Sequence, residues 1–503
     1  MPDDDDKHAR AFEEARRELE PKQARPSEGS KTTPASEGQS AKPASDGQAS
    51  APASLRVVPL PRERWRASDW LPTGEAVVKE FMRKWRDEFY YVDDEGVYYQ
   101  WNGLMWRRDH CRMVPRLMGE LCCTIAADKK KSVRTKLESA NFIHGAASRI
   151  RDKVAGPLDR FDAAEVLNTT IASIPMNCAQ WAPVPHRRED YCSKITAVAA
   201  VKGPCLMWLE FLRRITANDN DMIDYLQRVA GYCASPFTTE QAFFFFYGSG
   251  GNGKGTFLRV LKRLLGSYAT TASLDLFLAT KYEAHPEELA ALRAMRLVIA
   301  TETEAGRSWN EAKIKALTGG DSIRARFMRQ NSFEYQPCFK IIVSGNHQPA
   351  IKNVDPAMRR RLQLVPFEVA IPTSEQDGTL EHRLLTQEGP QILAWVLDGF
   401  NEWRKHGLSA PDKVVSSSEE YFEDQDLMAQ WIGECCDTGE LDAFDYSMTL
   451  YNSWKIFAEK AGERAGRLKA FITDLRNRGY QHNHARNGNG FHGIRVKRDQ
   501  MVD

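Results

Sequence analysis

The stretch that decides the fold runs from residue 241 to residue 257: Gln241-Ala-Phe-Phe-Phe-Phe-Tyr-Gly-Ser-Gly-Gly-Asn-Gly-Lys-Gly-Thr-Phe257. The short apolar run Ala242 to Tyr247 predicts a strand that is buried on both faces of a parallel sheet. A glycine-rich turn follows, from Gly248 to Gly253. After Lys254, apolar residues at helical spacing lead to a glycine that suits a helix end, namely Phe257, Leu258, Val260, Leu261, Leu264, Leu265 and Gly266. The stretch therefore predicts a strand, a glycine loop and a helix of an α/β domain.

A loop of this kind can hold phosphate groups. Glycines let consecutive backbone N–H groups turn towards an anion, the helix N-terminus adds its positive dipole, and the lysine reaches the outer phosphates. The residue after the lysine is Gly255, where a Ser or Thr hydroxyl usually meets Mg²⁺, and Thr256 comes one position later. Which residue binds the metal is therefore open. The predicted nucleotide-binding residues are Gly248, Ser249, Gly250, Gly251, Asn252, Gly253, Lys254, Gly255 and Thr256.

Two other interpretations of the loop compete with this one. Gly248, Gly250 and Gly253 also form the G-x-G-x-x-G pattern of dinucleotide-binding folds, which is weak evidence by itself. The lysine directly after the last glycine favours a nucleoside triphosphate instead. A glycine-rich turn without any ligand is the remaining interpretation, and the small and polar residues that lead to a lysine argue against it.

Length and composition narrow the class of protein. The chain has 503 residues, enough for two or three domains, and a formal net charge of +1, so its overall charge does not indicate nucleic acid. No apolar run is long enough to cross a bilayer and no signal peptide is evident, which predicts a cytoplasmic protein without a membrane partner. The 10 cysteines include no C-x-x-C pair, which indicates reduced thiols rather than zinc ligands.

Polar side chains follow two further apolar runs. Glu302 and Glu304 come directly after the run 297–301, and Asn346 comes after the run 339–345. The two glutamates lie on one side of an extended chain, at the carboxyl edge where sites of α/β proteins form. They suit the metal and the attacking water, and the amide suits the attacking water or the γ-phosphate. Solvated glutamates at a strand end are the alternative interpretation.

Three consecutive arginines, Arg359 to Arg361, precede another apolar strand. A planar guanidinium binds two oxygens and suits the charge that develops on a transferring phosphoryl group. A solvated basic helix end is the alternative interpretation, which we would favour if the run stood alone. After a phosphate loop, two carboxylates and an amide, the run completes the set that nucleotide hydrolysis needs.

A basic segment lies between the carboxylates and the amide. Residues 318–321 predict a turn, and residues 322–333 alternate as a hairpin does. Such a segment fits a contact with a nucleic-acid backbone, although solvated hairpin edges carry similar charges. The predicted DNA-binding residues are Lys313, Lys315, Arg324, Arg326 and Arg329.

In this order, the motifs resemble those of the superfamily 3 helicases, specifically the phage/plasmid primase–helicase group related to the poxvirus primase–helicases. The matching stretches are 248–256, 296–304, 317–321, 343–347 and 360–367. The resemblance implies an AAA+-like P-loop ATPase, usually a homo-hexameric ring, that uses ATP and Mg²⁺. It further implies 3′ to 5′ movement along single-stranded DNA, and unwinding of forked DNA, during phage or plasmid replication in the cytoplasm of a bacterial host.

The resemblance also implies roles for single residues. The basic hairpin would contact DNA in the channel of the ring. Many members carry an N-terminal primase domain, and a low-complexity tail stands in that place here, so we expect no primer synthesis by this chain and a separate primase or polymerase as partner. By position, the implied roles are phosphate and Mg²⁺ binding for Lys254 and Thr256, metal binding and water activation for Glu302 with Glu304, sensing for Asn346, and a finger reaching the next subunit for Arg360 or Arg361.

Composition and pattern divide the chain into five predicted regions. Residues 1–54 are rich in Pro, Ala, Ser and Gly, which predicts a disordered tail. The last region is predicted to form two helices and a hairpin that turns at residues 487–490 and has its second strand over 491–496. A protein-docking module is the alternative to DNA binding for this region. The other regions are a mostly helical N-terminal domain (55–235, with residues 132–154 helical), the P-loop ATPase core (236–370), a helical extension (371–438) and the winged-helix-like DNA-binding domain (439–503).

The sequence leaves two main classes of function open. The first is an ATP-driven replicative DNA helicase, and the second is an origin-binding initiator whose ATPase drives assembly rather than unwinding. A DNA-packaging or defence ATPase is a weaker third interpretation. The joint presence of Glu302, Asn346 and the arginines favours the motor, because a protein that only binds DNA does not need all of them.

Overall fold

The computed structural model describes residues 73–163, 165–280, 286–301, 306–328, 332–351, 354–438, 443–485 and 488–497. The predicted tail, both carboxylates at 302 and 304, and Arg329 lie outside these ranges. Within them, no helix is both long enough and apolar enough to cross a membrane.

The N-terminal part packs four helices beside a small sheet. The elements are α1 (Gly74–Trp85), β1 (Phe89–Val92), β2 (Val97–Trp101), β3 (Trp106–Arg108), α2 (Met113–Ala126), α3 (Lys131–Leu137), α4 (Ala140–Val154) and β4 (Ala155–Gly156). The strand order is β3-β2-β1-β4. The predicted helical region 132–154 is confirmed and consists of two helices, because Ser139 caps the second one by accepting a hydrogen bond from the backbone N–H of Phe142 at 3.4 Å.

Two helices lead from this part into the central domain. They are preceded by the short antiparallel pair β5 (Val166–Asn168) and β6 (Ser173–Pro175). The helices are α5 (Leu206–Ile215) and α6 (Asn220–Ala234), and both bury their apolar faces in the largest core of the molecule.

The central domain is a five-stranded parallel sheet with helices on its faces. Its elements are β7 (Phe243–Tyr247), α7 (Lys254–Leu265), β8 (Ala269–Thr271), α8 (Pro286–Ala291), β9 (Leu297–Thr301), α9 (Glu311–Thr318), β10 (Ile323–Arg326), β11 (Ser332–Tyr335), β12 (Lys340–Gly345), α10 (Pro356–Arg359) and β13 (Leu362–Pro366). The strand order is β13-β7-β12-β9-β8, and every neighbouring pair is parallel. Strands β10 and β11 form a separate antiparallel hairpin, as predicted.

The four consecutive phenylalanines of β7 explain why this strand lies inside the sheet. Phe243 and Phe245 point into one core, and Phe244 and Phe246 point into the other. Strand residues alternate between faces, so only an unbroken apolar run can bury both faces. The predicted doubly buried strand is confirmed, and so is the apolar face of α7.

The C-terminal part continues with helices and ends in a small α/β unit. The elements are α11 (Leu380–Gln387), α12 (Gly389–His406), α13 (Asp412–Gln425), α14 (Leu427–Cys435), β14 (Cys436–Asp437), β15 (Phe444–Tyr446), α15 (Ser447–Lys460), α16 (Leu468–Asn477), β16 (Gln481–Ala485), β17 (Gly488–His492) and β18 (Arg495–Val496). The predicted two helices and hairpin are confirmed. The second strand of the hairpin is not at 491–496, because β17 begins at Gly488, which pairs with Ala485.

The contact between α6 and α12 depends on two glycines. A Cβ atom added to Gly231 would lie 2.0 Å from the backbone N of Phe400, and one added to Gly399 would lie 2.1 Å from the carbonyl O of Gln227. Both obstacles are backbone atoms, so the helices themselves would have to separate.

We expect Gly231→Ala to lower the free energy of unfolding by about 1–3 kcal/mol or more, because it overpacks this contact. Urea unfolding of the full chain measures the change. Gly145→Ala is the matched control, since Gly145 lies in α4 and its added Cβ would meet nothing within 4 Å. There alanine should stabilise the helix by about 0.5–1 kcal/mol. Equal effects of the two variants would contradict the role of Gly231.

Candidate nucleotide-binding site

The glycine loop between β7 and α7 lies at the carboxyl edge of the central sheet. Ser249, Gly250 and Gly251 lie at its tip, where Gly250 and Gly251 are exposed. Gly253 has a φ of +83° and faces Ile215, so that an added Cβ would lie 2.4 Å from the Cγ2 atom of that side chain. A side chain here would be both strained and obstructed. The loop therefore needs glycine for its own conformation and for its contact with α5.

Lys254 is the first residue of α7 and is only 7% exposed. Its Nζ donates to the carbonyl O of Gly248 at 2.8 Å and to Oδ1 of Asn346 at 2.9 Å. Burial lowers the pKa of Lys254 below the usual lysine value. The ammonium is thus turned towards the loop and linked to the strand end that the sequence predicts to carry the sensor.

Asn252 fixes the shape of the loop from inside. It is 2% exposed, and its Nδ2 donates to the carbonyl O of Phe367 at 2.9 Å. Its Oδ1 lies 3.5 Å from both the backbone N and Nζ of Lys254. The amide therefore ties the loop to the end of β13 and holds the lysine in place.

Gly255 and Thr256 stand beside an arginine of the same helix. An added Cβ at Gly255 would lie 2.9 Å from Nη1 of Arg259, and Nη2 of Arg259 lies 3.4 Å from Oγ1 of Thr256. The Nε of Arg259 donates to Glu381 of α11 at 2.6 Å. The guanidinium thus occupies the space beside Gly255, and Thr256 supplies the side-chain hydroxyl at the start of α7.

Sequence reasoning missed the segment that follows β13. The backbone N–H of Ile371 donates to the carbonyl O of Gly251 at 3.0 Å, and an added Cβ at Gly251 would lie 2.8 Å from Nε2 of Gln376. Glu375 forms an ion pair with Arg214 of α5. Residues 371–377 therefore flank the loop. These residues belong to no motif. The only sequence signal for their position is that they come soon after the apolar run that ends at Phe367.

The register of the sheet shows how the other predicted residues relate to the loop. Gly345, which ends β12, pairs with Tyr247, which ends β7. Thr301, which ends β9, pairs with Ser344. Asn346 directly follows the end of β12, and Glu302 directly follows the end of β9. Because β12 and β9 are parallel neighbours, both residues come after strand ends at the same edge of the sheet. The positions of Glu302 and Glu304 themselves lie outside the described residues, so their roles stay predictions.

The arginines lie at the opposite edge of the sheet. Leu362 pairs with Phe243, and the backbone N–H of Phe243 donates to the carbonyl O of Arg361 at 2.7 Å. The strand between this edge and the loop spans about 13 Å. Arg360 and Arg361 are therefore not brought together with Lys254 of the same chain.

The two arginines also differ in their surroundings. Arg361 is 5% exposed, and its guanidinium donates to the hydroxyl of Thr318 at 3.1 Å and to the carbonyl O of Ala357 at 3.0 Å. Burial, together with the charge of Arg360, lowers the pKa of Arg361. Arg360 is exposed and lies 3.5 Å from Oε1 of Gln241. Of the pair, only Arg360 is placed to reach another molecule.

The predicted DNA-binding residues divide between a helix and the hairpin. Lys313 and Lys315 lie on α9 rather than in a loop with the others, and Lys315 forms an ion pair with Asp355. Arg324 and Arg326 share the exposed face of β10, where they alternate with buried Ile323 and Ala325. The hairpin thus presents a small basic face.

Two family models match parts of the chain that carry this geometry. Residues 78–217 match the family model described as D5 N terminal like, and residues 246–361 match a family of unknown function, DUF5906. The second match covers the loop, the strand ends and the arginine pair. It carries no description of function.

Curated relatives are named as helicases. The chain is 28% identical over 243 residues to "Putative helicase L207/L206" of Acanthamoeba polyphaga mimivirus, covering 44% of this chain and 25% of that protein. It is 25% identical over 276 residues to "Putative helicase 022R" of Frog virus 3 (isolate Goorha), covering 50% of this chain and 28% of that protein. The chain thus matches about a quarter of the length of these relatives.

A solved structure of similar extent is the apo NrS-1 C terminal region, with 11% identity and a TM-score of 0.43 over 84% of this chain and 99% of that chain. The family match and the named relatives define the class: the chain is related to the D5-type viral helicases. The motifs predicted this relationship, and it is confirmed.

Proposed function

We propose that this chain is an ATP-dependent DNA helicase with an AAA+-like P-loop core, which uses Mg²⁺ and acts in the replication of a phage, plasmid or related mobile element. One observation carries the proposal: Lys254 and Asn346 meet beside a glycine loop at the carboxyl edge of a parallel sheet. A cation and a polar amide in this position suit the outer phosphates of a nucleotide.

The proposal assigns each remaining residue to one step. Thr256 and Glu302 hold Mg²⁺, and Glu302 with Glu304 activates the attacking water. Arg360, exposed at the far edge of the sheet, serves as the finger for a neighbouring copy, which requires a ring such as a homo-hexamer. Arg324 and Arg326 contact single-stranded DNA, and movement runs 3′ to 5′. Forked DNA and a separate primase or polymerase are the proposed partners.

An origin-binding initiator is the second candidate, and the C-terminal unit favours it. Helices α15 and α16 with the hairpin β16–β17 have the order of a winged helix, and Arg464, Arg467 and Lys469 lie at the start of α16 or just before it. A DNA-binding module at this end would suit a protein that recognises duplex DNA.

ATP turnover by the purified chain, with and without single-stranded DNA, separates the two candidates. The helicase predicts turnover that single-stranded DNA stimulates several-fold, and strand separation on a forked duplex. Slow turnover that is indifferent to DNA, with tight binding of duplex by the C-terminal unit, would replace the helicase by the initiator.

The proposed Mg²⁺ ligand Thr256 can be tested by removing its hydroxyl. We expect Thr256→Val to reduce Mg²⁺-dependent ATP turnover by about 10- to 100-fold, because it removes the hydroxyl at the start of α7 without changing side-chain shape. Gly255→Ser places a hydroxyl at the neighbouring position, and only the flexible end of Arg259 has to move. Recovery of turnover in the double variant Gly255→Ser/Thr256→Val would support a hydroxyl ligand at the start of α7. Full activity of Thr256→Val alone would assign the metal elsewhere than Thr256.

A further inference from the structure

A cleft of about 380 Å³ opens between the N-terminal sheet and the central domain. Its lining comes from β2 and the turn before it, from β3 and its flanking turns, from residues 193–194, from the end of α8 and Arg293 just after it, and from Phe327 just after β10. Neither the glycine loop nor Asn346 lines it, so it is separate from the candidate nucleotide site. No motif of the sequence points to it.

The cleft is strongly cationic. Arg107, Arg108, Lys194 and Arg293 line it against a single carboxylate, that of Glu95. This carboxylate accepts a hydrogen bond from the hydroxyl of Tyr99 at 2.9 Å and lies 3.9 Å from Nε of Arg108. The lining therefore carries four cationic side chains and one carboxylate, and an anionic ligand fits this excess of positive charge.

Lys194 points most directly to a ligand. Across the ranges that the structure describes, its Nζ has no hydrogen bond and no ion pair, and burial lowers its pKa. The carboxylate that acts on it most is that of Asp162, which already accepts from the backbone N–H and the hydroxyl of Ser193 at 2.7 and 2.5 Å. Lys194 is half-buried, so an anion in the cleft would offset the desolvation of its ammonium.

The walls of the cleft are held in place before any ligand enters. Asn168, which is fully buried, donates to the carbonyl O of Leu104 at 2.9 Å and to that of Lys194 at 3.1 Å. Trp106 donates its backbone N–H to the carbonyl O of Cys192 at 2.8 Å. These bonds join β3 to the segment that carries the lysine, so binding requires little rearrangement.

Phe327 connects the cleft to the basic hairpin. It lines the cleft and directly follows Arg326, which lies on the exposed face of β10. The cleft therefore adjoins the end of β10, one residue beyond that basic face. Nucleic-acid backbones present phosphates at regular intervals without regard to sequence, which suits a row of cations spread over two parts of the chain.

We propose that this cleft binds the phosphate backbone of single-stranded DNA that passes the hairpin, so that the N-terminal sheet provides a second DNA contact. The proposal rests on the proposed function, since it requires that the hairpin contacts DNA. It extends that function by assigning Lys194 and Arg107, which no motif marks, to the DNA path.

The test measures binding of a fluorescein-labelled oligothymidine to the full chain by anisotropy over a range of salt concentrations. Lys194→Met removes the charge and keeps the length of the side chain, and Arg107→Glu reverses an exposed charge. We expect about tenfold weaker binding for Lys194→Met and a salt dependence that is shallower by about 0.7 in log–log slope, as for one lost phosphate contact. Lys79→Met, on the exposed surface of α1, is the control and should change neither quantity.

The outcomes separate the cleft from the function on which it rests. If Arg324→Ala and Arg326→Ala weaken binding while Lys194→Met and Arg107→Glu match the control, the cleft proposal is wrong and the helicase stands. If the unaltered chain binds no oligothymidine, both are wrong. If Lys194→Met weakens the binding of inorganic tripolyphosphate but leaves the affinity for the oligonucleotide unchanged, the cleft holds a small phosphate compound instead. The circular dichroism spectrum and the midpoint of urea unfolding of each variant check its folding.

Discussion

Lys254→Ala should reduce ATP turnover by at least about 100-fold, because it removes the one cation of the loop, which is proposed to bind the outer phosphates of ATP. In the structure the ammonium is held by the carbonyl O of Gly248 and by Asn346. These neutral partners leave its charge uncompensated, so a triphosphate can replace them with a stronger, charge-assisted interaction. The variant should also weaken ATP binding by about tenfold or more.

The same substitution should leave the fold intact. Lys254 is buried and burial lowers its pKa, so removing its charge also removes an unfavourable desolvation of the ammonium. We expect the midpoint of urea unfolding to change little. Stopped-flow or equilibrium binding of a fluorescent ATP analogue, together with phosphate release, measures the two effects separately.

Lys262→Ala is the matched control for this prediction. Lys262 lies on the same helix and donates to the hydroxyl of Thr271, away from the loop. Its loss should leave turnover within about twofold of the unaltered chain, as is usual for surface substitutions. Turnover that survives Lys254→Ala, or that falls equally with Lys262→Ala, would show that the glycine loop is not the nucleotide site.

The central elements could be predicted because local pattern and tertiary position agree there. In β7 the phenylalanines fill both faces, and no competing turn signal interrupts them. The region 132–154 lacks this agreement. Its apolar periodicity continues through Ser139, but the hydroxyl of that residue competes for a backbone N–H and starts a new helix. Periodicity alone does not reveal such a cap when the flanking residues remain helix formers.

The candidate site divides in the same way. The meeting of Lys254 and Asn346 follows from strand ends that share one edge of a parallel sheet, so chain order and pattern were sufficient. The contact of Arg259 with Glu381 joins residues 122 apart in sequence, and neither belongs to a motif. Only the packing of α11 against α7 creates it. Sequence spacing carries no signal for such pairs.

The arginine run illustrates a third limit. In the sequence Arg360 and Arg361 are equivalent, and the pattern leaves the finger unassigned. In the fold, Arg361 directly precedes β13. Its guanidinium is buried between α9 and α10 and donates a hydrogen bond to Thr318. Arg360 points outward. One step along the chain therefore separates a residue that stabilises the domain from one that can contact a neighbour.

Glu302→Gln should retain ATP binding but reduce turnover by about 100- to 1000-fold, since it removes the carboxylate proposed to orient the attacking water and Mg²⁺. The position follows Thr301 in β9, whose partner Ser344 lies two residues before Asn346 in the neighbouring strand. Amide and carboxylate are almost equal in shape, so a loss of turnover with normal binding isolates the charge.

Glu304→Gln is the matched variant and decides which carboxylate acts directly. The two glutamates are the same residue type, two positions apart, and differ only in their distance along the chain from the strand end. We expect Glu304→Gln to lower turnover less, by about tenfold, because the residue nearer the strand end is closer in sequence to the edge that carries Lys254 and Asn346. Single-turnover hydrolysis with saturating Mg²⁺ and ATP compares them. Equal and near-normal rates in both variants would mean that water activation comes from outside this pair, and the hydrolytic assignment would have to be rebuilt around Asn346.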